Sequence, residues 1–241
     1  MRTIIFFLPC LLFFACDNAN PTANTTEEIP KKQEVVQEER IRYEADSSIK
    51  VVYQADANTN AKHGNYKEYN NATQALLVER EYNQDIITGT EKLYFPDGQV
   101  DAIITYKDGL HHGPFKYFYP NGQLKQNGEY VNGKIEGTLR GFYEDGTLKE
   151  EVEHKEGVTQ GPFKEYNENG SLKAEGKFTT KGDEENLEYG LVKLYDEEGE
   201  LEKKMVCKDG QCCTIWTLEK GEVKPSSTIC EAIIKEMGQE S

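Results

Sequence analysis

The feature that most constrains this chain is a glycine returning about every 24 residues, at Gly64, Gly89, Gly113, Gly137, Gly161 and Gly190. The spacings are 25, 24, 24, 24 and 29, the last enlarged by a five-residue insertion around Lys181 to Asn186. Nine residues after each of the later five comes a second glycine, at Gly98, Gly122, Gly146, Gly170 and Gly199; the first unit has Asn70-Asn71-Ala72-Thr73 instead. A third closes most units, at Gly109, Gly133, Gly157, Gly182 and Gly210. Asp-Gly and Asn-Gly between short aromatic and β-branched runs predict hairpins, because those residues tolerate positive φ. Each unit therefore reads strand, tight turn, strand, turn, and such units bury an apolar face only by stacking on one another. The expected fold is all-β: an elongated single-sheet array of tandem β-hairpin repeats over residues 64–213, ending in a short capping helix.

Composition agrees with a thin architecture. Only 37% of the chain is hydrophobic and 29% is charged, which argues against a large compact core. With 28 basic and 43 acidic residues the net charge is −15, which repels phosphate backbones and anionic lipid surfaces, so no nucleic-acid partner is expected.

Residues 1–15 combine a basic start at Arg2 with an apolar run from Ile4 to Phe14, too short to span a bilayer, and small Ala15 stands directly before Cys16. This grammar resembles the lipoprotein signal-peptide class. The resemblance implies export, lipidation of Cys16, and anchorage in the outer membrane, on its periplasmic or surface face, through the lipid alone. An ordinary cleaved signal peptide or an uncleaved anchor is the alternative. Residues 16–40 are polar and poor in aromatics and read as a disordered tether. Residues 41–63 read as a degenerate N-terminal strand region, with a strand over Ile49 to Tyr53.

Beyond the leader, Cys207, Cys212, Cys213 and Cys230 form an even set in an exported chain, which predicts two disulfides. Three pairings are possible. Cys207 and Cys212 flank a turn at Lys208-Asp209-Gly210-Gln211, which could set them opposite each other and leave Cys213 for Cys230. A zinc site is the competing reading, but the paired short spacings of one are absent. Residues 214–241 form the C-terminal cap. It comprises an irregular hairpin at Thr214 to Leu218 with Lys220-Gly221, then a helix over Ser226 to Met237, started by a Thr228/Glu231 capping box. Ile229, Ile233, Ile234 and Met237 share its apolar face, and its expected task is to cover an open sheet edge.

If each Asp-Gly or Asn-Gly is a two-residue turn, side chains equidistant from it share a face. One face then collects Phe115, Tyr117, Tyr119, Leu124, Gly128 and Tyr130, followed by Leu139, Tyr143, Leu148, Val152, Phe163 and Leu172; this is the expected packed face. The other carries a basic residue and an aromatic two positions on in every repeat: Lys67 and Tyr69, Lys92 and Tyr94, Lys116 and Phe118, Arg140 and Phe142, Lys164 and Tyr166, Lys193 and Tyr195. This ladder has two readings. It is a stacking stripe for a peptide, glycan or partner protein. Or cross-strand neighbours satisfy it, with Arg140 facing Glu151, Lys164 facing Glu175, and Phe118, Phe142 and Tyr166 facing Lys125, Lys149 and Lys173. A one-residue slip would exchange the faces.

The stretches Tyr130-Val131-Asn132-Gly133-Lys134-Ile135-Glu136-Gly137 through Gly146, and Gly109-Leu110-His111-His112-Gly113 through Gly122, resemble the MORN repeat (membrane occupation and recognition nexus). The resemblance covers roughly Gly64 to Gly210 and is closest to a bacterial variant also seen in proteins assigned as antitoxins. It implies a repeat scaffold with no family-wide catalytic residues and no cofactor. Direct reading agrees: no Gly-x-Ser-x-Gly, His-Glu-x-x-His, phosphate-loop or dinucleotide fingerprint is present. His63 and His112 precede frame glycines and read as turn residues, and His154 as a substituted packing position. The function expected is a non-enzymatic, envelope-anchored interaction scaffold for a protein or polymer partner. The alternative is an antitoxin-like or immunity-like neutralising module.

Overall fold

The computed structural model describes residues 37–43, 48–181 and 184–238; the leader, Cys16, the tether up to residue 36 and Gly182 lie outside them. The described chain forms one open antiparallel sheet of 17 strands and one helix. The strands are β1 (Gln37–Tyr43), β2 (Ile49–Asp56), β3 (Lys62–Asn70), β4 (Leu76–Asn83), β5 (Ile86–Tyr94), β6 (Val100–Lys107), β7 (Leu110–Phe118), β8 (Leu124–Val131) and β9 (Lys134–Phe142). They continue as β10 (Leu148–Lys155), β11 (Val158–Tyr166), β12 (Leu172–Lys181), β13 (Glu184–Glu188), β14 (Gly190–Tyr195), β15 (Leu201–Lys208), β16 (Gln211–Thr217) and β17 (Gly221–Glu222), before α1 (Thr228–Met237). The order is a meander, each strand pairing with its neighbours in the chain, except that β13 and β14 share one place beside β12.

Two boundaries differ from the sequence reading. The tether expected to reach residue 40 gives way to strand at Gln37, because β1 is held by backbone pairing to β2, which its polar composition does not report. The frame boundary at 63/64 falls inside β3, because the frame glycine Gly64 sits within that strand, and the boundary at 213/214 falls inside β16. Gly113, with φ of 103°, lies in a bulge of β7 where residues 112–114 oppose Thr105 alone, between the pairs Ile104↔Phe115 and Tyr106↔His111. His63 and His112 accordingly stand in strands rather than turns.

The two turn types are also redistributed. At the third glycine both residues of Asp108-Gly109, Asn132-Gly133, Glu156-Gly157 and Asp209-Gly210 have positive φ, so these are the two-residue turns. At the second glycine only the glycine does; the Tyr119 N–H donates to the Gln123 carbonyl and the Gly122 N–H to the Tyr119 carbonyl, closing a three-residue loop with its glycine at the bulge. The extra residue shifts the pairing next to the loop. Phe118, Phe142 and Tyr166 face Leu124, Leu148 and Leu172, not Lys125, Lys149 and Lys173. Lys125 and Lys149 instead reach over the rings of Tyr119 and Tyr143, at 5.7 and 5.9 Å. One rung further a second shift restores the expected register, with Lys116↔Asn127 and Phe115↔Gly128.

Repeats are joined by hydrogen bonds as well as by ladders. The Gly133 N–H donates to the His111 carbonyl and the Gly157 N–H to the Ile135 carbonyl, 2.8 and 2.9 Å. The hydroxyls of Tyr119 and Tyr143 donate to the carbonyls of Phe142 and Tyr166 in the next repeat, both at 2.8 Å.

The packed face is the one expected apart from Leu124, Leu148 and Leu172, which the shifted pairing sets opposite the ladder aromatics Phe118, Phe142 and Tyr166, and it packs against itself. Ala102, Ile104 and Phe115 form one buried cluster with Leu93, Tyr117, Tyr130 and Leu139 around it; Phe163, Ala174, Val192 and Cys207 form another with Val152, Phe178 and Met205. Large and small side chains alternate across the strands: Phe115 opposite Gly128, Leu139 opposite Val152, Phe163 opposite Gly176. The N-terminal end breaks this apolar row. Arg80 takes the place of Ile104 and Val152, and Glu91 that of Phe115 and Leu139. Arg80 bridges Glu68 and Glu91 at 2.8 and 3.1 Å, the Tyr66 hydroxyl donates to Glu68 and the Tyr106 hydroxyl to Glu91.

Burial, then the neighbouring carboxylates, holds the Tyr66 and Tyr106 phenols far above their ordinary range; burial, then Tyr130, pushes Tyr117 up to about 12. The folded state binds these protons more tightly than the unfolded chain, whose tyrosines titrate at about 10. Their stability contribution is therefore complete below that pH and lost as pH rises through the folded values. The urea midpoint is expected to fall from about pH 10 upward, and less steeply in a Tyr66→Phe/Tyr106→Phe variant.

The C-terminal helix departs from expectation in three ways. Its N-cap is Ser227, whose hydroxyl accepts from the Cys230 N–H, rather than Thr228. Ile229 is 60% exposed, and Cys230 takes its place on the buried side with Ile233, Ile234 and Met237. The helix packs on Val206 and Cys213, so it covers a face of β15 and β16 and not an edge. Cys207 pairs with Cys212 across the two-residue turn, Cα atoms 4.0 Å apart, and Cys213 pairs with Cys230, fastening the helix to the sheet; the four thiols are thereby used as disulfides rather than zinc ligands.

Candidate functional site: the ladder face

The face opposite the packed one carries a continuous row across twelve strands. Its members, in spatial order, are Lys67, Glu79, Lys92, Ile103, Lys116, Asn127, Arg140, Glu151, Lys164, Glu175, Lys193 and Lys204, each paired with the next. The basic rungs from Lys67 to Lys193 are those the sequence predicted, and Lys204 adds one that it did not. Between them lies a slot recurring every 24 residues, at 79, 103, 127, 151 and 175. Sequence reasoning found the contacts of Arg140 with Glu151 and Lys164 with Glu175, both now seen as cross-strand pairs, but not the two-sided role of the slot.

Where the slot is glutamate, it accepts from a basic residue and from a tyrosine of the following repeat. Glu79 is 3.1 Å from Lys67 Nζ and accepts the Tyr94 hydroxyl at 3.1 Å. Glu151 accepts Arg140 Nε at 2.9 Å and the Tyr166 hydroxyl at 3.4 Å. Glu175 accepts Lys193 Nζ at 2.7 Å and the Tyr195 hydroxyl at 2.9 Å. The hydrogen bond from Lys67 lowers the Glu79 pKa, and those from Lys193 and then Tyr195 lower that of Glu175; burial and then the same carboxylates raise Tyr94, Tyr166 and Tyr195. The aromatic identity tracks the slot. Tyr94, Tyr166 and Tyr195 reach a glutamate, whereas Phe118 and Phe142, without hydroxyls, follow Ile103 and Asn127. Tyr69, in the first rung, lies beneath Lys50 Nζ at 5.9 Å.

The rungs at Lys67, Arg140 and Lys193 are thus satisfied by ion pairs, as the second reading of the ladder required. Lys92, Lys116 and Lys164 are exposed and form no ion pair among the described residues; Lys92 lies beside Glu79 and Lys164 between Glu151 and Glu175, whereas Lys116 has neutral neighbours on both sides. Asn127 Oδ1 is buried without a hydrogen-bond partner. The remaining histidines serve packing: His111 Nε2 lies 2.8 Å from the Tyr106 hydroxyl, and His154 Nε2 3.1 Å from Thr159 Oγ1. Among the described residues no group of three His, Cys, Asp or Glu side chains is placed to hold a metal ion.

Comparison with known families matches the MORN repeat variant four times in tandem, at residues 87–108, 112–132, 135–156 and 159–179. This chain carries MORN-variant repeats. The matched MORN repeats span β5 to β12, and the hairpins on either side continue their sheet. No curated protein matches the chain. MORN repeats form a repeat scaffold rather than a catalytic fold, and the ladder face of this one sets charge-assisted hydrogen bonds beside aromatic rings.

Proposed function

We propose that this protein is a non-enzymatic interaction scaffold held at the cell envelope by a lipid on Cys16, presenting its ladder face to a protein or polymer partner. The observation that carries the reading is the division of labour between faces. One face uses its apolar side chains for its own packing, and the other keeps a row of cations and aromatics whose central cation, Lys116, lies between two neutral neighbours. The tether between Cys16 and β1 supplies reach from the membrane.

Two measurements test it. In a Cys16→Ser variant, mature protein is expected in the soluble fraction; unchanged membrane retention would contradict the anchor. Co-purification from membranes is expected to recover a partner that a Lys116→Glu/Phe118→Ser variant of unchanged melting temperature no longer holds. A single toxic partner would identify a neutralising module, whereas envelope polymers or several proteins identify a scaffold.

A further inference from the structure

The charge row supplies its own evidence for what the central rungs recognise. Three of its five slots hold a glutamate flanked by cations on the two adjoining strands and capped by a tyrosine hydroxyl. The two slots at the centre hold Ile103, between Lys92 and Lys116, and Asn127, between Lys116 and Arg140. Lys116 therefore has a neutral neighbour on each side, and Arg140 has its carboxylate on the Glu151 side only. A shallow depression of about 330 Å³ lies over the second slot, lined by Lys116, Asn127, Thr138 and Arg140, with Glu129 and Glu136 on its other rim.

We infer that this window binds an acidic, extended segment of a partner protein, whose carboxylates take the places that Ile103 and Asn127 leave without one. The inference rests on the scaffold reading and names the chemistry of its partner. Charge complementarity selects a carboxylate at Lys116, and the chain's own Glu79, Glu151 and Glu175 show the same recognition completed internally. Phe118 and Phe142 supply apolar surface beside the cations where the other rungs use a tyrosine hydroxyl to hold an internal glutamate. Glu129 and Glu136 keep the acidic group on the Lys116 side of the depression. Spacing adds a further restriction. The two neutral slots lie two strands apart, about 10 Å, and a polyproline II chain returns a side chain to the same side every three residues, about 9 Å. An acidic residue at every third position fits both slots at once.

The test uses the detergent-solubilised full chain and a fluorescein-labelled peptide, Glu-Pro-Pro-Glu-Pro-Pro-Glu, followed by fluorescence polarisation at low salt. Binding is expected, at least about ten-fold tighter than for the Gln-Pro-Pro analogue, a difference of about 1.4 kcal/mol. Asn127→Glu, which fills the slot with an internal carboxylate as in the Glu151 rung, and Lys116→Gln are each expected to weaken it by a similar factor with the melting temperature retained. Lys67→Gln, in the outermost rung, leaves it unchanged. Absence of binding, equal binding of the glutamine analogue, or full binding by Asn127→Glu would overturn the inference. So would capture of phosphatidylglycerol vesicles through Lys116 that the glutamate peptide does not compete. A partner recovered from membranes alongside a failed peptide would leave the scaffold standing and remove only the acidic window.

Discussion

Gly176→Val is expected to destabilise the protein by about 1–3 kcal/mol, although valine suits a strand better than glycine does. A Cβ at this position would lie 2.9 Å from Phe163 Cε1 and from Val192 Cγ2, so the ring and its neighbour must move within a buried cluster that also holds Ala174 and Cys207. The same array contains the remedy. One repeat earlier the equivalent pair is Leu139 opposite Val152, so Phe163→Leu combined with Gly176→Val reproduces a pairing the sheet already accommodates. The double variant is expected to regain most of the loss, giving a strongly non-additive cycle by urea denaturation. Additive losses would show that the repeats are not packed in equivalent registers.

Arg80→Met is expected to cost about 3–5 kcal/mol. It removes the cation between Glu68 and Glu91 and leaves Glu91, only 7% exposed at its side chain, with the Tyr106 hydroxyl as its remaining partner. Replacing Arg80 and Glu91 by what other repeats use, Arg80→Ile with Glu91→Leu, is expected to recover most of the loss, because no charge is then left buried at position 91, while the partly exposed Glu68 keeps the Tyr66 hydroxyl. Thermal and urea unfolding of the three variants decides it. A double variant as unstable as Arg80→Met would mean that the polar cluster does more than fill the row.

Much of this was legible in the sequence because the period carries it. The 24-residue glycine frame gave strands, their order and the packed face, since Phe115, Leu139 and Phe163 fall on one parity whatever the loop length beyond them. The pairing next to each loop was not legible. Asn121-Gly122 and Asn132-Gly133 look alike as dipeptides, yet the first sits in a three-residue loop and the second in a two-residue turn. The difference is the left-handed φ at Asn132, which residue identity permits but does not dictate. The helix was predicted but misplaced, because its position follows from Cys213 pointing to the ladder face beside Val206, a consequence of strand parity after the irregular β13 and β14. On the ladder, the cations and aromatics were plain, and the slot between them could have been found from the same period by reading positions 79, 103, 127, 151 and 175 together. Arg80 and Glu91 also left a signal, as charges in a row that is otherwise apolar.

The scaffold account is tested most directly by photocrosslinking in cells. Benzoylphenylalanine is placed at position 114 on the ladder face, where Pro114 is exposed at the depression beside Lys116, or at position 126 on the packed face, where Gln126 pairs with Tyr117 and Gly141. The account predicts a discrete crosslinked partner from position 114, lost on Asn127→Glu, and none from position 126. Crosslinks to the same partner from position 126, with none from position 114, would contradict it.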